Sequence, residues 1–260
     1  MSIQDEVHPF DRLTVYGDLA TNHHGSKKVY DELVRDILRV GAIPKIQLYS
    51  AETFDRTWDL PQRFAASIFR PSDLDYIMPH SPQVLKVASV ESTHFELIQM
   101  LMATELPLII STGGLDDDEL LQLMDTVQGY EHGLCLMHCV SKYPTLPDQC
   151  NMHRISTLAD MMDELLMIPW VGWSCHTRIG YTHPLISALT QGASQLEFHV
   201  MLNRTVIRTD DENSSLQLAD LDYVMNTIKG TMQMLGTGDV EQGDREQVLQ
   251  WRARWQDLTS

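Results

Sequence analysis

"VGWSCHTRIG", residues 171–180, is the stretch on which the reading of this chain turns. An apolar run suited to a strand, Trp170-Val171-Gly172-Trp173, empties into Ser174, Cys175 and His176, three side chains able to do chemistry. A near-continuous apolar strand is what a sheet covered on both faces requires. The signature recurs along the chain: LTVYGDLA (13–20), IPKIQLYS (43–50), RFAASIF (63–69), VLKVAS (84–89), LPLIIST (106–112), GLCLMHCV (133–140), WVGWSCH (170–176) and QLEFHVM (195–201). Between these runs lie segments such as KKVYDELVRDILRVG and LADLDYVMNTIKGTMQML, whose apolar residues recur at three and four, as in helices lying on a sheet. The third round is the least regular, with only PSDLDYIMPH as a short helix. Eight alternations predict an α/β fold, a single-domain (β/α)8 TIM barrel over residues 1–260, its core about 13–238 and a tail at 239–260. An open doubly wound sheet is the alternative.

Composition sets the outer limits. With 260 residues, 43% of them hydrophobic, the chain can bury one large core. A formal charge of -17 repels phosphate backbones and anionic membranes, so neither nucleic acid nor membrane is an expected partner. The start MSIQDEVHPFDR lacks a basic segment followed by an apolar core, and no apolar run approaches the roughly 20 residues of a membrane span, which points to a cytoplasmic protein. Four cysteines (135, 139, 150 and 175) without a CxxC pair suit reduced thiols.

In such a barrel the C-terminal strand ends carry the active site. They deliver Asp18 and Asn22-His23-His24-Gly25 after the first strand, Lys45 and Gln47 on the second, and Ser67 on the third. Lys86 and Ser89 follow on the fourth, Ser111-Thr112-Gly113-Gly114 on the fifth, and His138 to Tyr143 on the sixth, including Ser141. The last two supply Ser174 with His176, and Glu197 with His199. Lysines within strands are costly to bury without an anionic partner, so two lysines, several hydroxyls and a glycine turn make a plausible phosphate or carboxylate cradle. Each feature also has a plainer reading: Lys45 snorkels to the rim, His138 is a hydrogen-bonded core residue, Asn22 to Gly25 is a turn, and Asp116-Asp117-Asp118-Glu119 starts a helix. His176 and His199 end consecutive strands and can hold a divalent cation such as manganese.

Several segments resemble the N-acetylneuraminate (sialic acid) synthases and related nonulosonic acid synthases: DLATNHHGS (18–26), PKIQ (44–47), LKVASVESTHFELI (85–98), PLIISTGG (107–114), LMHCVSKYPTLPDQCNM (136–152), VGWSCHT (171–177), GASQLEFHVMLNR (192–204) and DENSSL (211–216). The resemblance implies an enzyme, a transferase that joins phosphoenolpyruvate to the aldehyde of an open-chain N-acylated sugar and releases phosphate, with a divalent metal, typically Mn2+, or Mg2+ or Co2+. By resemblance Lys45, Ser67, Lys86, Ser89, Ser111, Ser141 and Ser174 cradle phosphoenolpyruvate, with Gln47 and Tyr143 nearby and Asn22 on the substrate side. His176 and His199 hold the metal, and Asp18 and Asp211 contact the sugar or its developing charge.

The chain departs from the family at Asp18, where glutamate is usual, at Cys175, where aspartate is usual, and at Phe198, where lysine is usual. Strand alternation sends Ser174 and His176 to one face and Cys175 to the other, and separates Glu197 and His199 from Phe198 in the same way. The expectation is that Cys175 and Phe198 are neighbours outside the barrel, a packed thiol and ring in place of an ion pair. The family's small second domain, which helps form its dimer, is not expected within these residues; a separate chain supplying it, or a homodimer without it, are alternatives. Two other functions stay open: a metal-dependent barrel aldolase, isomerase or hydrolase that does not use phosphoenolpyruvate, and an inactive barrel that binds a partner.

Overall fold

The computed structural model of the chain describes residues 10, 12–50, 53–166, 170–177, 182–203, 210–239 and 242–259. The eight apolar runs pair in parallel and in chain order, and the first pairs with the last, closing a barrel. The strands are β1 (Thr14–Asp18), β2 (Ile43–Gln47), β3 (Ala65–Ile68), β4 (Val84–Val87), β5 (Leu108–Ser111), β6 (Leu134–Cys139), β7 (Val171–Cys175) and β8 (Gln195–Met201). A two-residue β9 (Leu216–Gln217) pairs with the end of β8. The helices are α1 (Lys27–Arg39), α2 (Pro71–Ile77), α3 (Phe95–Met102), α4 (Asp117–Val127), α5 (His153–Leu166), α6 (Thr182–Thr190), α7 (Asp210–Ser214), α8 (Leu221–Leu235) and α9 (Gln242–Thr259). Among the described residues no helix is long and apolar enough to cross a membrane.

Local chemistry sets the helix starts. The Ser26 side chain accepts a hydrogen bond from the Val29 N–H and caps α1. The acidic run begins a helix, as its charge predicts: Asp116 and Glu119 form a reciprocal capping box at the start of α4. Most of the segment expected to be a tail forms α9, Gln242–Thr259. Its apolar residues recur at helical spacing, a pattern hidden among many charged neighbours.

Alternation along the strands divides the molecule into two shells. Outward residues such as Ile46, Leu85, Ile110, Leu136, Trp173 and Phe198 are buried against the helices in one large cluster. Inward residues near the strand starts, namely Tyr16, Ile43, Ala65, Val84, Ile109, Cys135 and Met137, make a second, smaller cluster capped by Phe10. A Cβ at Gly172 would lie 2.6 Å from the Gln195 carbonyl oxygen and 3.0 Å from the Met137 methyl. Glycine is therefore required where β7, β8 and the inner packing meet, and this fixes the spacing of the two strands that lead to His176 and His199.

Candidate active site at the C-terminal rim

Towards their C-terminal ends the same strands turn polar on this inward face. Asp18, Lys45, Ser67, Lys86, Ser111, Ser174, Glu197 and His199 are all buried and point into one cavity of about 660 Å3 at the rim. Gln47, Ser89, Cys139, Ser141, Tyr143, His176 and Asp211 complete its wall. Of the residues predicted for the site, only Asn22 lies elsewhere. Its amide donates to the Val200 carbonyl at 2.9 Å and to Ser215 Oγ at 2.8 Å, so it braces the end of β8 from behind the cavity. The short polar motif that suggested a contact is a turn, with His24 and Gly25 at positive φ.

The buried charges are matched within the rim. Lys45 Nζ lies 2.7 Å from Asp18 Oδ2 and 3.4 Å from Glu197 Oε2, and it donates to Ser67 Oγ at 2.9 Å. Lys86 reaches across the barrel from β4 to β8 and pairs with Glu197 Oε1 at 2.5 Å. Ser174 donates to the same oxygen at 3.1 Å, and Gln47 donates to Asp18 Oδ2 at 2.7 Å. Burial raises the cost of each carboxylate's charge, but the lysines outweigh it and hold Asp18 and Glu197 below their ordinary values. The two lysines then part. Burial opposes the charge on both, yet Asp18 and Glu197 together keep Lys45 above its ordinary value, whereas Lys86 falls below it. Lys86 has Glu197 as its close partner and Lys45 as a repulsive neighbour, which accounts for the difference.

Glu197 is thus the centre of the network, a role that reading the strand ends one by one did not assign to it. The available signal was its position two residues before His199, on the same face of β8.

The histidines meet as expected. The His176 and His199 rings lie 5.2 Å apart, with Tyr143 over His176 at 4.2 Å. His176 Nδ1–H donates to the Val140 carbonyl at 2.9 Å, which leaves the Nε2 lone pair available as a ligand. His199 sits between Asp18, 3.5 Å from its Nε2, and Asp211, 3.4 Å from its Nδ1. Burial, the largest influence, keeps His199 below the ordinary histidine value, and so neutral and able to ligate.

The tightest donor set, however, is Asp18, Glu197 and His199, whose ligand atoms lie within 4.8 Å of one another. Apart from 3.4 Å ion-pair contacts to Lys45 and Asp211, Glu197 Oε2 and His199 Nδ1 are buried with no hydrogen-bond partner among the described residues, as ligand atoms awaiting a cation would be. Residues of this chain therefore fit a divalent cation, with Asp18 and Glu197 joining the two histidines as candidates.

Beside His176, past Cys139, the Gly113 N–H donates to Ser89 Oγ at 3.2 Å. A Cβ at Gly113 would come within 2.7 Å of both Ser89 Oγ and Ser141 Oγ and 3.0 Å of Cys139 Sγ. The buried Ser111 hydroxyl has no hydrogen-bond partner among the described residues. The result is a small, hydroxyl-lined cradle that only glycine leaves open. Burial works against a Cys139 thiolate, but His176, 3.8 Å away, and Ser89 bring its pKa down to about 7.

Cys175 is on the other shell. It is Cα partner to Phe198 across β7 and β8, and both side chains are buried among the outer apolar residues. Burial pushes its thiol up to about 12, and Thr177 Oγ1 is 3.2 Å away. The expectation that it packs outside the barrel holds. All four cysteines are free.

Comparison with known proteins gives a consistent picture. The family model described as "NeuB family" matches residues 37–240. The chain is 30% identical to N,N'-diacetyllegionaminic acid synthase of Legionella pneumophila over 188 residues, 70% of this chain and 51% of that one. It is 25% identical to N-acetylneuraminate-9-phosphate synthase of Mus musculus over 175 residues, 67% of this chain and 46% of that one. The chain thus spans about half the length of these two curated relatives. Its fold is similar to the crystal structure of N-acetylneuraminic acid synthetase from Leptospira borgpetersenii in complex with citrate, with TM-score 0.79 and 20% identity over 94% of this chain and 92% of that one.

Proposed function

The chain belongs to the NeuB family, and from that membership and the geometry of the rim we propose that it condenses phosphoenolpyruvate with an open-chain N-acylated aldose or related aldehyde. The product is a 2-keto-3-deoxy acid of the nonulosonic type, and inorganic phosphate is released. One observation carries the reading: two buried lysines, an open hydroxyl cradle and two facing histidines line a single cavity.

In this reading Lys45, Lys86, Ser67, Ser89, Ser111, Ser141 and Ser174 bind the carboxylate and phosphate of phosphoenolpyruvate. Gln47 and Tyr143 border the reacting carbons, and Asp18 and Asp211 face the sugar. His199 and His176, with Asp18 and Glu197 as further donors, would hold a divalent cation, which when bound would supply Lewis-acid polarisation of the aldehyde oxygen. C3 of the enol ester attacks the aldehyde carbon, water adds at C2, and phosphate leaves from the tetrahedral centre. Tyr143 shields His176 from solvent, and burial holds its hydroxyl in the protonated form, a donor to oxygen rather than a base.

The balance of charge implies that donor and cation bind together. Lys45 and Lys86 are already offset by Asp18 and Glu197. A trianion entering alone upsets that balance, while an anion and a dication entering together nearly preserve it. A metal-dependent aldolase, isomerase or hydrolase that needs no phosphoenolpyruvate is the second reading, favoured by this same pairing of the lysines.

Calorimetric titration of phosphoenolpyruvate with and without manganese separates the readings. Saturable binding, tightened at least about tenfold by the cation and lost in Lys86→Ala, supports the synthase and justifies screening aldoses for phosphate release. Metal-dependent turnover without phosphoenolpyruvate supports the second reading. Binding of neither ligand removes both and leaves a barrel that serves as a binding protein.

A further inference from the structure

The carboxylates that gather round His199 also hold an ammonium. Asp18 Oδ2 lies 2.7 Å from Lys45 Nζ and accepts from the Gln47 amide at 2.7 Å, so both of its lone pairs are engaged. This oxygen is also the one that faces His199, 3.5 Å from its Nε2. The other, Asp18 Oδ1, accepts from the Ala20 N–H at 3.1 Å. A cation held jointly by His199 and Asp18 therefore meets Lys45 at a shared oxygen.

The second carboxylate is divided unequally between the two lysines. Glu197 Oε1 takes Lys86 and the Ser174 hydroxyl, whereas Oε2 has the 3.4 Å contact to Lys45 and no hydrogen bond among the described residues. A cation can take Oε2 without moving Lys86. It cannot take Oε2 together with Asp18 Oδ2 while Lys45 contacts both, because a dication and an ammonium at one pair of oxygens repel at short range.

Lys45 has an anchor on its other side. Its Nζ donates at 2.9 Å to the hydroxyl of Ser67, on the adjacent strand β3, and Ser67 lines the same cavity as Ser89, Ser111 and Ser141. A flexible four-carbon stem held at that hydroxyl lets the ammonium turn from the carboxylates to an anion in the cavity.

We infer that Lys45 is the exchangeable counter-ion of the cation site. When donor and cation enter, Asp18 and Glu197 pass from its ammonium to the dication, and the ammonium passes to the anionic groups of the donor. Lys45 is then a positioning residue that couples the two ligands, and the exchange rests on the reading of the rim proposed above. Charge balance alone favours joint binding whichever lysine is considered; the exchange assigns the coupling to one of them. Because linkage is reciprocal, the donor tightens the cation by the factor with which the cation tightens the donor.

The test is Mn2+ titration of the purified protein, read by the electron paramagnetic resonance of the free ion, with and without excess phosphoenolpyruvate. Lys45→Met should bind Mn2+ alone at least about tenfold tighter than the unchanged chain, and phosphoenolpyruvate should then change that affinity less than about threefold. A misfolded variant does not gain affinity. Lys45→Gln, which keeps a donor towards Asp18 without the charge, should shift in the same direction and serves if Lys45→Met does not fold. Lys45→Arg, whose fork grips a carboxylate by two hydrogen bonds, should bind Mn2+ more weakly than the unchanged chain. An equal gain in Lys86→Met would show that net charge rather than shared oxygens sets the affinity, and overturns the inference. Unchanged or weaker Mn2+ binding in Lys45→Met and Lys45→Gln overturns it too, with the cation reading intact as long as the unchanged chain binds Mn2+. Failure of every chain to bind Mn2+ overturns that reading as well.

Discussion

Along β4, Val84 and Lys86 point into the same barrel two residues apart, and along β5 so do Ile109 and Ser111. The lower member of each pair fills space and the upper member faces the cavity. The lower layer is closed by Phe10 and packed mainly with apolar side chains, its Tyr16 hydroxyl donating to Gln195 Oε1. The upper layer buries two lysines and two carboxylates at a desolvation cost that packing alone never demands. One scaffold therefore places stability and chemistry on successive turns of the same strand pleat, and the two layers can be altered separately.

The largest effect is expected from removing the central ion pair as a unit. Lys86→Met with Glu197→Leu should abolish phosphoenolpyruvate binding and reduce turnover at least about 100-fold, while the thermal midpoint stays unchanged or rises. Lys86→Met alone should cost about 3 kcal/mol, because Glu197 then keeps only Ser174 and the longer contact to Lys45. Calorimetry and thermal unfolding of both variants measure this. A large destabilisation of the double variant would show that the pair holds the barrel together and would dissolve the contrast between the layers.

The lower layer should answer in the opposite sense. Ile109→Ala should destabilise by about 2–5 kcal/mol in denaturant titration and change phosphoenolpyruvate affinity less than about threefold. Gly113→Ala, in the upper layer, should weaken that ligand about tenfold and cost about 1–3 kcal/mol of stability, since its methyl group fills the cradle and displaces the Ser89 and Ser141 hydroxyls. Equal responses of affinity in these two variants would show that the layers are coupled.

A smaller effect comes from the outer shell. His138 Nε2–H donates to the Cys150 carbonyl at 2.8 Å, facing away from the cavity. Burial, aided by Arg154, depresses its pKa, and burial does the same for His23. The folded pKa then lies below the unfolded value of about 6.5, so the unfolded chain takes up the proton first as pH falls. Stability should be full above about pH 6.5 and decline towards pH 5, and His138→Gln should flatten part of that slope in unfolding measured across this range. The smallest effect is expected at Cys175→Ala: about 1 kcal/mol of stability and no change in metal content or turnover. Loss of activity with the metal retained would place the thiol in the chemistry, against its position beside Phe198.

The barrel was legible from sequence because it rests on short-range rules. Apolar strands alternate with amphipathic helices, and the period of two sends Ser174, Glu197 and His199 inward and Cys175 and Phe198 outward wherever the strand begins. The same rule brought the polar strand ends to one rim. Beyond that point the sequence was silent for reasons of geometry. Lys86 and Glu197 lie 111 residues apart, on strands that face each other across the barrel, and their pairing depends on strand stagger and on the reach of a lysine.

Asn22 carried the right chemistry for a ligand contact, yet the turn that holds it aims its amide at the β8 backbone. Sequence alone therefore determined the fold, the face of the strand residues and, Asn22 apart, the predicted members of the rim, because each follows from local periodicity and burial. Only the tertiary structure decided which charges neutralise one another and which donors gather within reach of a cation. Those depend on distances between segments remote in the chain, and no local pattern encodes them.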